Sequence, residues 1–209
     1  DGELLRAVAT DGHRLAYAAT ELKTTMKHDV ILPRKSVSEL IKLLADSDEA
    51  VTISIQADKD NKPSQVRFSF SGIELISKIV DGKFPDYTKV IPTNYNKHLD
   101  LNRVTLQQSL QRAAILSNEK IRGVRLVLSK DNLAIICANN EQEEAQEELT
   151  VAYDGEPLDI GFNIAYLQDV LANASSDAVQ LSLGDANSSA LITLPEDKQF
   201  KYVVMPMRI

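Results

Sequence analysis

The chain has 209 residues, of which 44% are hydrophobic and 25% are charged, a balance typical of folded globular proteins rather than disordered ones. Its length favours two domains of ordinary size. A net charge of -7 argues against extensive wrapping by nucleic acid, although an acidic protein can still carry a local basic face. No apolar run approaches the ~20 residues needed to cross a bilayer, so no membrane partner is expected.

The single cysteine and the first residues bear on the protein's environment and extent. Cys137 lies within the apolar run 133–138, which predicts a small buried side chain and excludes an intrachain disulfide. A reducing, cytoplasmic environment fits this cysteine usage. The start Asp1-Gly2-Glu3 resembles neither a signal peptide nor a natural initiator, so we expect a chain cut from a longer protein.

The first half of the chain predicts a β-hairpin, a short helix and further strands. Asp11-Gly12 is a turn signal between two extended segments, so residues 10–15 predict a hairpin tip. Ser36 followed by Glu39 predicts the start of an amphipathic helix. Apolar alternation and turn signals predict strands over residues 3–9, 51–55, 66–70 and 73–80, with a strand end at 30–33.

The second half repeats this order at a nearly fixed offset. Leu4 corresponds to Leu133, 129 positions later, and Val51 corresponds to Val179, 128 positions later. The helix near Ser36 likewise corresponds to a helix beginning near Asn163. A constant offset of this kind predicts two copies of one structural unit.

The second copy has an additional beginning, with a predicted helix over residues 103–117 and a strand over 123–128. The first copy has no room for either, so we expect it to lack roughly a quarter of its own residues. The polar segment 87–102 predicts a connection between domains 1–93 and 94–209. Mostly antiparallel strands with short helices to one side predict an α+β fold.

The chain ends on a segment with two interpretations. Val203 and Val204 favour an extended strand, and Pro206 places the residues after it at a sheet edge. Met205 and Met207 have flexible side chains that suit a surface repacking around varied apolar partners. A binding site and a terminal core strand explain these residues equally well.

The sequence offers little for catalysis or for a cofactor. His13, His28 and His98 share no metal-ligand spacing, and no phosphate-binding loop or nucleophile elbow is present. Asp11 and His13 suggest an acid–base pair, but residues at a hairpin tip diverge and no activated nucleophile lies nearby. We therefore expect a protein without catalytic residues, metal or cofactor.

Two charged segments stand out in the otherwise mixed sequence. The acidic run 141–148 predicts a solvated face or loop, and a docking surface is the alternative. Arg34, Lys35 and Lys42 lie on one short predicted helix and give it a mild basic face.

Four stretches resemble one known family. They are residues 10–15, the run 117–125, the acidic run 141–148 and the terminal residues 203–208. In collinear order over the whole chain, they resemble the bacterial DNA polymerase III beta subunit, the sliding clamp family. The resemblance covers most of the second clamp domain, which is N-terminally incomplete, and the whole third domain. It implies the DNA-clamp fold of repeated antiparallel sheets with short helices on one side.

The resemblance also implies a function. In that family two crescents close head to tail into a ring, and helices line the hole around duplex DNA without reading its sequence. The clamp is a replication processivity factor and not an enzyme. It tethers DNA polymerase III subunits, the clamp loader and other clamp-binding-motif proteins through short peptides. We therefore expect a fragment that keeps the peptide-binding pocket but not the ring, and a homodimer at full length.

The resemblance places this pocket between the two domains, with apolar walls for a partner's Leu or Phe and a few polar groups that orient its backbone. Lys89 stands where an arginine is common, and Asn187 replaces an apolar pocket residue of some relatives. The implied peptide-binding residues are Thr10, Gly12, His13, Arg14, Leu15, Pro85, Lys89, Val90, Asn163, Tyr166, Val203, Val204, Met205, Pro206, Met207 and Arg208.

Two further surfaces follow from the resemblance. Arg34, Lys35 and Lys42 match the inward helix positions that face DNA. The implied dimer interface contains Ile115, Leu116, Glu141, Glu143 and Glu144. A second hypothesis, an acidic protein-interaction adaptor with no DNA role, differs in one testable respect, because its basic helix would not attract DNA at low salt.

Overall fold

The computed structural model describes residues 3–24, 27–45 and 47–209, and the chain packs as two compact units. The smaller unit is drawn from residues 24–85, and the larger unit combines residues 3–23 with residues 86–209. The N-terminal hairpin therefore packs with the second half of the chain, although the repeat assigns it to the first copy.

Strands dominate both units, which confirms the predicted α+β class. The helices are α1 (Arg34–Leu44), α2 (Arg103–Ala114) and α3 (Ile164–Asn173), with a 3-10 turn at Tyr87–Lys89. The strands are β1 (Leu4–Thr10), β2 (Arg14–Glu21), β3 (Thr52–Ala57), β4 (Pro63–Phe70), β5 (Ile73–Lys78), β6 (Lys97–Asn102), β7 (Gly123–Ser129), β8 (Asn132–Ala138), β9 (Glu144–Thr150), β10 (Leu158–Asn163), β11 (Ala178–Leu183), β12 (Ala190–Leu194) and β13 (Asp197–Val204). Across the described ranges, no helix combines the length and the apolar character that a bilayer crossing requires.

The larger unit contains two antiparallel sheets. The six-stranded sheet has the order β1-β2-β13-β12-β11-β6, and the four-stranded sheet has the order β10-β7-β8-β9. In the larger sheet, β2 pairs with β13 so that Leu15 lies opposite Val203 and Arg14 lies opposite Val204. This pairing brings the hairpin tip next to the last strand of the chain.

The core of the larger unit draws on both sheets and on helices α2 and α3. Leu110 of α2, Leu171 of α3, Phe162 of β10 and Val204 of β13 are all 0% exposed. Removal of this apolar surface from water provides the main stabilisation of the unit. The two helices contact each other and so close one side of the core.

The smaller unit consists of the sheet β3-β4-β5 and helix α1. Val66, Phe68 and Phe70 alternate along β4 and are buried, and Leu40 and Leu44 of α1 pack with them. The period of two along the strand gives this sheet one apolar face, as its sequence predicts.

The two copies differ in how their equivalent helices are covered. Leu167 and Leu171 of α3 are 4% and 0% exposed, because α2 packs beside them. The corresponding residues of α1, Val37 and Ile41, are 37% and 64% exposed. Among the described residues, the first copy has no counterpart of α2, so the apolar stripe of α1 stays accessible.

Two predictions for the first copy are wrong. Residues 30–33 do not form a strand, and the backbone oxygen of Ile31 accepts a hydrogen bond from Val80 at 2.8 Å instead. Its counterpart β10 becomes a strand because it pairs with β7. Ser36 does not cap α1, because the helix begins at Arg34 and the Ser36 hydroxyl accepts a hydrogen bond from Ser77 at 2.8 Å.

Two segments predicted as irregular are strands. The supposed connection 87–102 ends in β6, in which Lys97, Leu99 and Leu101 are buried and the residues between them are exposed. The acidic run leads into β9, along which exposed and half-buried residues alternate. The proposed domain limits at residues 93 and 94 stay a prediction.

Candidate functional site

The hairpin tip between β1 and β2 has a fixed shape. One carboxylate oxygen of Asp11 accepts hydrogen bonds from the backbone N–H groups of His13, at 3.0 Å, and Arg14, at 3.1 Å. Gly12 has a φ of 88°, a left-handed conformation that side chains disfavour. The Thr10 hydroxyl donates to the Arg14 backbone oxygen at 2.7 Å and closes the tip.

The chain end is held beside this tip by two backbone hydrogen bonds. After β13, the Met205 N–H donates to the His13 oxygen at 2.9 Å, and the Met207 N–H donates to the Gly161 oxygen at 2.9 Å. Pro206 between them has no N–H to donate. The predicted departure of the last residues from the sheet is confirmed, and these residues now link the hairpin to β10.

Arg14 occupies the centre of a polar cluster. Its Nε donates to Asp11 at 3.1 Å, and its Nη1 donates to Asp169 at 2.5 Å and to the Tyr202 hydroxyl at 3.1 Å. Its guanidinium carbon lies 4.4 Å from the centre of the Tyr166 ring. The cation therefore lies against an aromatic face while hydrogen bonds fix its orientation.

Burial and hydrogen bonding set the charges in this cluster. Burial opposes the charge on Arg14, but hydrogen bonds to Asp169, Tyr202 and Asp11 raise the pKa of Arg14 above its usual value. Burial also tends to raise the pKa of Asp11, but hydrogen bonds from His13 and Arg14 outweigh it and lower that pKa. Burial raises the pKa of Tyr202, despite the opposing effect of Arg14. At neutral pH Arg14 is a cation, Asp11 is an anion and Tyr202 is neutral.

Aromatic groups from two elements lie beside Arg14. The rings of His13 and Tyr166 are stacked with centres 6.4 Å apart. Tyr166 is in the first turn of α3, whose beginning is capped by Asn163 through a 2.9 Å hydrogen bond to the Ala165 N–H. The cap explains why an asparagine precedes the aromatic residue.

The predicted peptide-binding residues differ in exposure. Leu15, Val203 and Val204 are buried in the sheet, whereas Met205 is 39% exposed. The larger unit brings together, in one surface region that we call the tip–tail site, the hairpin tip, the start of α3 and the chain end. Its members are Thr10, Gly12, His13, Arg14, Asn163, Tyr166, Met205, Pro206 and Met207.

Four other predicted peptide-binding residues lie outside these contacts. Lys89 is exposed and pairs with Asp86 at 3.3 Å, and Val90 is half-buried directly after the 3-10 turn. Arg208 is exposed, near the end of the chain. Pro85 belongs to the smaller unit.

Three polar members of the cluster are absent from the predicted site. The sequence indicates Asp11 mainly as a turn residue, and Tyr202 only as part of a strand. Asp169 follows Tyr166 by three positions on α3, so the two side chains share a helix face. That spacing is the available sequence signal for Asp169.

The predicted DNA-facing residues lie on α1 of the smaller unit. Arg34, Lys35 and Lys42 are all exposed, and Lys42 pairs with Glu39 at 3.0 Å. The first turn of α1 contains no acidic residue, so Arg34 and Lys35 face the positive end of the helix dipole unopposed within that turn. Local helix stability does not explain cations at these positions.

The predicted dimer-interface residues lie at the end of α2 and before β9, two elements in contact with each other. Ile115 is 78% exposed and Leu116 is half-buried. The acidic residues of this region, Glu141, Glu143 and Glu144, are all exposed. Behind them Arg112 of α2 pairs with Glu147 of β9 at 2.6 Å.

Among the described residues, no three His, Cys, Asp or Glu side chains are arranged to hold a metal ion.

Repeated antiparallel sheets with short helices define a DNA-clamp fold. The model of the DNA polymerase III beta subunit central domain matches residues 1–86, and that of the C-terminal domain matches residues 88–208. The chain therefore belongs to the DNA polymerase III beta subunit family, as its sequence predicted.

Curated relatives and solved structures agree with this assignment. The chain is 45% identical over 210 residues to the beta sliding clamp of Vibrio cholerae and 44% identical over 210 residues to that of Escherichia coli K12. Each match covers 100% of this chain and 56% of the relative, so the chain spans about half the length of these relatives.

A crystal structure of DNA polymerase III subunit beta from Pseudomonas aeruginosa superposes with a TM-score of 0.92 at 44% identity, covering 100% of this chain and 56% of that one. The beta subunit of Caulobacter crescentus gives a TM-score of 0.90 at 38% identity, covering 99% of this chain and 55% of that one.

Proposed function

We propose that this chain is the partner-binding part of a bacterial sliding clamp, a replication processivity factor that binds short peptide motifs at the tip–tail site. In the whole protein, two such subunits form a ring around duplex DNA. The observation that supports this most is the chain end held beside the hairpin tip, with Met205 exposed next to Tyr166 and His13.

The chemistry of the site suits a peptide. Met205 and the aromatic face of Tyr166 provide adaptable apolar surface, and Arg14 provides a fixed cationic donor. Short motifs with one or two apolar anchors and a few backbone hydrogen bonds are recognised in this way. Each fully buried anchor contributes roughly 1.5–3 kcal/mol before ordering costs, so micromolar affinity is expected.

The proposed role is tethering, without catalysis or a cofactor. The proposed partners are DNA polymerase III subunits, the clamp loader and other proteins with clamp-binding motifs. The helix bearing Arg34, Lys35 and Lys42 would face the DNA, and the α2 end with Ile115 would contact a second subunit. A cytoplasmic location fits the buried thiol of Cys137, whose pKa burial raises to about 11.

Calorimetry with a synthetic peptide in which a Gln is followed at short spacing by Leu and Phe tests this function. The unaltered chain should bind with a dissociation constant on the order of 1 μM, about -8 kcal/mol. A variant with Met205→Ala and Met207→Ala should bind at least ~10-fold more weakly, because the apolar wall is lost.

The matched control is Ile76→Ala, which removes an exposed apolar side chain of the smaller unit and should leave affinity unchanged. Equal affinity for the unaltered chain and the double methionine variant would overturn the assignment of the tip–tail site.

A further inference from the structure

We propose that Asp169 is a positioning residue for peptide binding, which acts by holding the Arg14 guanidinium against the Tyr166 ring so that Nη2 is available to a partner's carbonyl oxygen. This inference rests on the proposed function of the tip–tail site. It concerns a residue of α3 that is not among the predicted peptide-binding residues.

The donors of Arg14 are unequally occupied. Nε donates to Asp11, and Nη1 donates to both Asp169 and Tyr202. A guanidinium has five N–H groups in a rigid planar arrangement. In the described part of the chain, the two N–H groups of Nη2 have no acceptor, so they can serve an incoming oxygen atom.

Asp169 and Asp11 contribute differently to this arrangement. Asp11 also accepts the backbone N–H groups of His13 and Arg14, so it builds the hairpin tip itself. The Asp169 carboxylate is 58% exposed, and its hydrogen bond within the described residues goes to Arg14. Ion pairs this exposed contribute little to stability. The contact therefore matters for the direction of Arg14 rather than for the fold.

The geometry of α3 explains why this direction is productive. Tyr166 and Asp169 are three positions apart and lie on one helix face. Nη1 is held by Asp169 while the guanidinium carbon lies 4.4 Å from the Tyr166 ring centre. Without the Asp169 carboxylate, Arg14 keeps its Asp11 contact and can swing off the ring, so the free donors lose their fixed direction.

The expected ligand group is a carbonyl oxygen, from the peptide backbone or from a glutamine side chain. A carboxylate is disfavoured, because Asp11 and Asp169 already place two negative charges against the single positive charge of Arg14. The site should therefore select a neutral acceptor beside the apolar anchors.

A double-mutant cycle on the 209-residue chain tests the inference, with the Gln-, Leu- and Phe-containing peptide as ligand and calorimetry as the readout. Asp169→Asn should weaken binding roughly 5- to 10-fold, the scale of one oriented charge-assisted contact. Asp169→Glu, which keeps the carboxylate, should recover most of the affinity. In an Arg14→Ala background, Asp169→Asn should change affinity less than about twofold, because the residue acts through Arg14.

Glu147→Gln is the matched control, since it neutralises the carboxylate of the Arg112 ion pair away from the tip–tail site and should leave affinity unchanged. Thermal melting of each variant checks that the fold is retained. Unchanged affinity of Asp169→Asn, or an equal loss with and without Arg14, would overturn this inference while the proposed function stands. Absence of binding by the unaltered chain would overturn both.

Discussion

The backbone oxygen of Met207 lies so close to Gly161 that a Cβ atom placed on that glycine would be 2.5 Å from it. The Ile209 side chain would also lie 2.8 Å from such a Cβ. The chain end can therefore rest on β10 only because residue 161 has no side chain.

We predict that Gly161→Ala displaces the chain end and weakens peptide binding about 10-fold, because Met205 and Met207 lose their fixed position. The cost in unfolding free energy should be modest, at about 1 kcal/mol, since a chain end can move to relieve the overlap. Calorimetry and thermal melting check the two effects. Gly82→Ala is the control, because a Cβ atom on Gly82 would have no described atom within 4 Å, and no change is expected.

The basic face of α1 gives a second prediction. The chain should bind duplex DNA weakly at low salt, with a slope of log affinity against log salt of about -3 for three cations. Substituting Arg34, Lys35 and Lys42 together by Gln should remove most of this binding. Fluorescence anisotropy measures both quantities.

A charge-matched control replaces three exposed lysines elsewhere by Gln and should retain binding. These are Lys59, Lys62 and Lys198. If the control and the α1 variant lose equal affinity, attraction is diffuse, and the acidic adaptor without a DNA role becomes the better hypothesis.

The end of α2 predicts the oligomeric state of this chain. Ile115 is 78% exposed and Leu116 is half-buried, and two such side chains fall short of the ~1,000 Å² that a stable interface buries. The exposed Glu141, Glu143 and Glu144 add repulsion between copies at low salt. We expect a monomer by light scattering at micromolar concentration. A dimer that disappears when Ile115 and Leu116 are both changed to Ala would contradict this.

Cys137 predicts a loss of stability at alkaline pH. Burial raises the pKa of its thiol from 9.0 to about 11, so the folded state holds the proton more tightly than the unfolded state. Below pH 9.0 both states are protonated, and as pH rises towards about 11 only the unfolded state ionises. The free energy of unfolding should therefore fall across that interval.

Urea denaturation at several pH values measures this effect, with Cys137→Ala for comparison. The variant should show a shallower decline with pH, because Tyr202, whose pKa burial also raises, contributes equally to both proteins. Parallel declines in the two proteins would exclude a contribution from Cys137.

Local patterns in the sequence predicted the elements better than their partners. The hairpin tip at Asp11-Gly12 and the alternation along β4 follow from neighbouring residues, and both are confirmed. The strands β6 and β9 were missed because their exposed faces are strongly polar, and only their tertiary position buries the other face.

The tip–tail site was predicted mainly through family resemblance, and its polar cluster was not. Arg14 and Asp169 are 155 positions apart, and their contact depends on β2 pairing with β13. No periodicity in a single sequence encodes which distant strands become neighbours. The exposed Met205 and the short chain end, by contrast, were visible from residue type alone.

The place of β1 and β2 in the larger sheet has a consequence for dividing the protein. Expression of residues 94–209 alone would remove β2 and leave the hydrogen-bonding groups of β13 unpaired along one side. A bare edge strand that carries Tyr202, Val203 and Val204 is a template for joining other chains. Sequence repeats mark units of duplication here, whereas the smallest piece that stays soluble must carry the hairpin of the preceding copy.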